Sequence, residues 1–128
     1  MNMPEPYFST VFLLEGRPLM LPESFAIITA WNPMDRTLRD EHNALEDEAL
    51  RRMLELQMIP YFRATGCSPD LSHREPGWAV TMPKNQAIEL AKRYGQRGIW
   101  WIEGEDLILV SCMDGQEKRM DTFRLRLR

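Results

Sequence analysis

Apolar positions along this chain fall into short strand-like runs, broken twice by longer stripes of helical period. Residues 10–14 (Thr-Val-Phe-Leu-Leu) and 17–21 (Arg-Pro-Leu-Met-Leu) flank Glu15-Gly16, where glycine suits the positive φ of a tight hairpin. Pro18 lacks a ladder donor and assigns the second of these strands to an edge. Residues 25–31, rich in β-branched and aromatic types, predict the next strand, which stops at Asn32-Pro33. The period then lengthens. Thr37 and Asp40 form a loose capping box, apolar positions recur to about Met58, and Pro60 ends the first helix. Strands at 61–66 and 78–82 bracket the polar loop CSPDLSHREPG. Pro83 opens a second helix with Ala87, Ile88, Ala91 and Tyr94 as its apolar stripe and Gly95 as its stop. GIWWI and DLILVSC pair around Glu103-Gly104-Glu105, and the tail DTFRLRLR alternates Phe123, Leu125 and Leu127 with Arg124, Arg126 and Arg128.

The predicted order is β-β-β-α-β-β-α-β-β-β. Hairpins dominate it, so the fold class is α+β: a mostly antiparallel sheet with two helices packed on it. A length of 128 residues, 44% hydrophobic and 27% charged, suits a single domain over 1–128. No apolar run approaches the roughly 18 residues of a membrane span. The opening MNMPEPYF has neither the basic nor the apolar region of a secretory signal. Cys67 and Cys112 stand far apart without metal-ligand spacing, as reduced thiols of a cytoplasmic protein would. The net charge of −3 argues against a general electrostatic grip on nucleic acid.

The first helix carries the candidate chemistry. At about 100° per residue, Leu38, Leu45, Ala49, Leu50, Met53, Leu54 and Leu56 share one broad half, opposite Glu41, Glu48, Arg51, Arg52 and Glu55. In its first turns the core-facing half bears Arg39, His42, Asn43 and Glu46 instead. Burying a polar group unpaired costs on the order of 1–3 kcal/mol. These four groups therefore demand mutual pairing, water or a ligand. A helix start also attracts anions through its free amides, and Asn32 lies just upstream. Trp31 or Trp78 could supply a stacking wall, with Asn32, Asn43 and Gln96 as directional hydrogen-bonding groups. The resulting ligand-binding set is Trp31, Asn32, Arg39, His42, Asn43, Glu75 and Gln96, for a small polar or anionic ligand at the strand-to-helix junction.

Other chemistries are poorly served. Asp70, His73 and Glu75 stand at D-x-x-H-x-E spacing, but two or three ligands without a fourth fall short of a metal site. There is no G-x-S-x-G elbow, Walker loop, Rossmann glycine pattern or zinc-binding cysteine set, so no cofactor is expected. Whether a reaction is catalysed stays open, with His42 and Glu75 the available acid–base groups. Two further readings compete with ligand binding. In one, the Trp100-Trp101 hairpin and the basic terminal strand form a protein- or nucleic-acid-interaction module or a homodimer edge, because one of two adjacent strand tryptophans faces outward unless something covers it. In the other, the polar junction is hydrogen-bonded architecture alone.

The blocks ITAWNP followed by Asn43, then TGCSPDLSHREPGWAV, then AIELAKRYGQRGIWWI, resemble domain-of-unknown-function family 3293, a group of small, mainly bacterial proteins. The likeness covers roughly residues 7 to 112 and keeps the family's block order. It implies no activity. It does single out Asn32, Asn43, Glu75 and Gln96 as the matching polar positions, and it leaves the C-terminal tail outside.

Overall fold

The computed structural model describes residues 1–128. Its strands are β1 (Val11–Glu15), β2 (Ser24–Thr29), β3 (Tyr61–Cys67), β4 (Arg74–Glu75), β5 (Gly77–Val80), β6 (Gly98–Glu103), β7 (Asp106–Ser111) and β8 (Glu117–Thr122). All join one antiparallel sheet in the order β1-β3-β5-β2-β6-β7-β8, with the short β4 added to β3. Two helices, α1 (Asp40–Leu56) and α2 (Lys84–Arg93), complete an α+β fold.

The sheet curls until its edges nearly meet. Leu127 bridges Phe12 of β1 in parallel, and the Arg128 N–H donates to Phe12 O at 2.9 Å. Arg126 Nη1 donates to Thr10 O at 2.8 Å, so the tail beyond β8 laces one edge to the other. Curling gives the sheet two buried faces, which explains the near-continuous apolar runs of β2, β6 and β7. On the outer face Ala26, Ile28, Ala30, Trp78, Ile99 and Trp101 pack beneath Leu50 and Leu54 of α1 and Ala87, Leu90 and Ala91 of α2. On the inner face Phe12, Phe25, Ile27, Phe62, Trp100 and Phe123 fill the concavity. Phe12 meets Trp100 edge-on at 5.4 Å, and Phe123 lies 5.5 Å from Phe12 and 5.8 Å from Phe25.

Three expectations shift. Residues 17–21 form no strand, and Leu19 and Met20 are exposed. β1 instead pairs with β3, from Val11 opposite Cys67 to Glu15 opposite Arg63. Pro18 withholds a donor there, while β3 brings Phe62 and Ala64 into the inner core beside Phe12. At the other end the strand is Glu117–Thr122, and Phe123–Arg126 is a 3-10 turn. That turn drops Phe123 into the inner core and carries the chain across to β1. Finally, α1 starts at Asp40 with no side-chain cap, and its buried line is Asn43, Asp47, Leu50 and Leu54, with Leu45 and Leu56 exposed. A polar seam sets this rotation. Asp47 forms a two-pronged pair with Arg63 at 2.8 and 3.0 Å, and that guanidinium stacks 3.6 Å from the centroid of Trp78. Asn43 bonds to the loop after β2.

Candidate functional site

The loop after β2 turns sharply. Asn32, Met34 and Asp35 all have positive φ, at 46°, 52° and 61°. Left-handed backbone costs a non-glycine residue on the order of 1 kcal/mol, so neighbouring bonds must hold the turn. Asparagine tolerates the conformation best, and Asn32 is tied twice to α1. Its N–H donates to Asn43 Oδ1 at 3.0 Å, and Asn43 Nδ2 donates back to Asn32 Oδ1 at 2.7 Å. The Leu38 N–H donates to the same Asn32 oxygen at 3.0 Å. On the far side the Met34 N–H donates to Gly95 O at 2.7 Å. Gly95 ends α2 at φ 69°, and a Cβ there would stand only 2.7 Å from Pro33 Cβ. Pro33 and Gly95 therefore nest, which is the physical link between the Asn-Pro and Gly-Gln blocks. Gln96 completes the joint, its Nε2 donating to the carbonyls of Trp31 and Tyr94 at 3.2 Å each.

This joint forms one wall of a cavity of about 330 Å³ at the end of the inner face that the aromatic cluster leaves open. Phe12, Ile27, Ala64 and Trp100 give it an apolar floor. Tyr7, Thr29, Asn32, Asp35, Cys67, His73, Glu75 and Gln96 are the chief polar members of its lining. The lining holds two carboxylates and no lysine or arginine. Both carboxylates are engaged: Asp35 accepts from Tyr7 Oη at 2.8 Å and Arg97 Nε at 2.7 Å, and Glu75 Oε2 lies 2.7 Å from His73 Nε2. Burial, then the hydrogen bond to Asp35, pushes the Tyr7 phenol far above its ordinary range, so Tyr7 acts there as a fixed donor. Burial likewise raises the Cys67 thiol. A thiol so held is not poised as a nucleophile.

Of the residues singled out from sequence, Asn32, Glu75 and Gln96 meet at this cavity. Asn43 lies fully buried behind Asn32 and orients it. Trp31 contributes its carbonyl to Gln96, while its indole stays outside the lining. Arg39 and His42 are exposed, and no α1 residue lines the cavity, so the start of that helix is not its wall. Asp70 braces its own loop by accepting from the Ser72 N–H and the Ser68 and Ser72 hydroxyls, which hold its carboxyl down at about 2. Trp100 and Trp101 are both buried, one on each face, so a helix layer covers the indole that an interaction surface would need exposed. Arg124 and Arg126 of the tail are paired with Glu105 and Asp121. Sequence reasoning assigned no role to Tyr7, Thr29 or Asp35, read Cys67 only as a reduced thiol, and placed Trp100 in an interaction hairpin, whereas all five line the cavity. The parity of β2 was the available signal, because Ile27 and Thr29 point opposite to Ala26 and Ile28.

Searches of curated proteins and of solved structures found no match. Residues 28–99 match the family model described as "Protein of unknown function (DUF3293)", from Ile28 in β2 to Ile99 in β6. That segment is more than half of the chain and contains Asn32, Asn43, Glu75 and Gln96. The chain belongs to this family of proteins of unknown function, DUF3293.

Proposed function

We propose that this protein binds a small polar molecule with an apolar body in the open end of its curled sheet. One observation carries the reading: Asn32 and Gln96, from the loops after β2 and α2, meet over a floor of Phe12, Ile27, Ala64 and Trp100. Apolar walls with a few convergent polar groups are the usual make-up of a small-molecule site, and about 330 Å³ lies at the small end of that class. The absence of lysine and arginine from the lining favours a ligand without net negative charge over an anion.

Gly66 offers a clean test. It lines the cavity from β3, and a Cβ there has ordinary room, the nearest atom being Thr10 Cγ2 at 3.5 Å. Gly66→Val adds bulk to the cavity with a residue that strands favour. A set of small ring compounds, screened by NMR, is expected to move the Trp100 indole and Thr29 resonances together, and Gly66→Val is expected to abolish that response while the protein stays folded. Responses clustered elsewhere, such as the groove between Met53 and Leu90, or unchanged binding in Gly66→Val, would count against the proposal.

A further inference from the structure

The cavity wall carries two side-chain amides whose polarity is dictated by backbone groups that cannot exchange roles. The Asn32 N–H donates to Asn43 Oδ1, which turns Asn43 Nδ2 toward Asn32 Oδ1. The Leu38 N–H donates to that same oxygen. A backbone N–H never accepts, so Asn32 Oδ1 is fixed on the protein side and Asn32 Nδ2 takes the opposite side. At Gln96 the logic is inverted. Its Nε2 faces the carbonyls of Trp31 and Tyr94, which never donate, so its Oε1 is the end left over. Neither Asn32 Nδ2 nor Gln96 Oε1 bonds within the protein. Neither is sealed in: the one sealed side-chain nitrogen or oxygen without a partner is Trp101 Nε1. Both residues are themselves more than nine-tenths buried and line the same cavity.

We infer that the cavity selects a ligand with an uncharged amide edge, a C=O beside an N–H as in a carboxamide or lactam. Asn32 Nδ2 donates to the ligand oxygen, Gln96 Oε1 accepts from the ligand nitrogen, and the ligand body rests against Trp100 and Phe12. This rests on the ligand-binding reading above and names its substrate class. A carboxylate offers two acceptors and sets oxygen against Gln96 Oε1, with no lysine or arginine in the lining to offset its charge. An amidinium offers two donors and sets N–H against Asn32 Nδ2. Of the carboxylates that would attract it, Asp35 is held by Arg97 and Tyr7, and Glu75 is tied to His73 through Oε2. A site built to pair both edges rejects a ligand that mispairs one, because a desolvated group is left opposed.

Benzamide, benzoate and benzamidine share one ring and differ only in this edge. Titrated into the full chain and followed by NMR at the Asn32 and Gln96 side-chain amides and the Trp100 indole, benzamide should bind roughly tenfold or more tightly than either analogue. Benzoate or benzamidine binding at those resonances as tightly as benzamide would overturn the inference and leave the cavity reading standing. Silence of those resonances to all three, while other ring compounds move them, would overturn it equally. Silence to every compound would remove both. Asn32→Asp keeps an acceptor toward Leu38 and Asn43 but replaces the cavity-side donor, so its ranking should move toward benzamidine. An unchanged preference for benzamide in folded Asn32→Asp protein would contradict the assignment. The ranking on the unsubstituted chain decides the matter even if the variant fails to fold.

Discussion

The two faces of the curled sheet are both apolar, yet they close differently. The outer face is covered by α1 and α2, and its charged and amide groups are paired, Asp47 with Arg63 and Asn43 with Asn32, while the Trp101 indole N–H lies buried without a partner. The inner face is sealed only where Phe12, Phe25, Phe62 and Phe123 cluster. Its other end is open, and among the groups that ring it Asn32 Nδ2 and Gln96 Oε1 have no partner in the protein. Helices make a lid by adding a layer, whereas a sheet covering itself runs out of side chains at its mouth. A polar group on the sealed face is therefore read as architecture, and one at the mouth as a candidate contact.

That distinction separates mutations by what they should change. Leu54→Ala removes a fully buried side chain from the sealed face and should cost about 3–5 kcal/mol in urea denaturation. Ring-compound shifts at Trp100 should persist in this variant below its unfolding midpoint. Their loss there would mean that the faces are not independent. Asn43→Ala links the two regions. It should cost about 1–3 kcal/mol, because the Asn32 N–H and Oδ1 both lose a partner. Unlike Leu54→Ala, it should also weaken binding at the cavity severalfold, since Asn32 loses part of what orients it. Undiminished affinity in stable Asn43→Ala protein would make Asn43 a bystander.

Much of this architecture was legible in the residues. Both helices, the hairpin around Glu103-Gly104-Glu105 and the antiparallel α+β class follow from periodicity and turn chemistry. The 17–21 segment misled because its apolar residues suit a strand locally, while the pairing of β1 with β3 is a long-range matter. The rotation of α1 misled for a related reason. Leu45 and Leu56 lie outward because Asp47 and Asn43 find strong partners on the sheet and in the loop, and those partners are not visible within the helix itself. The site was half legible. Asn32 and Gln96 stood out as amides beside helix ends, but the cavity lies on the face away from α1, so Arg39 and His42 fall outside its lining while Thr29 and Trp100 enter it. Strand parity carried that information, and an apolar run on both parities hid it.

The orientation of three amides supports everything proposed for the cavity, and hydrogen exchange of their NH2 groups tests it without any ligand. The Asn43 NH2 is bonded to Asn32 Oδ1 and Leu38 O, and the Gln96 NH2 to two carbonyls, whereas the Asn32 NH2 has no protein acceptor. The account predicts slow exchange of the Asn43 and Gln96 side-chain amides with solvent, fast exchange at Asn32, and slowing at Asn32 when benzamide is added. An Asn32 NH2 as protected as that of Asn43 in the free protein, or a Gln96 NH2 that exchanges freely, would contradict it.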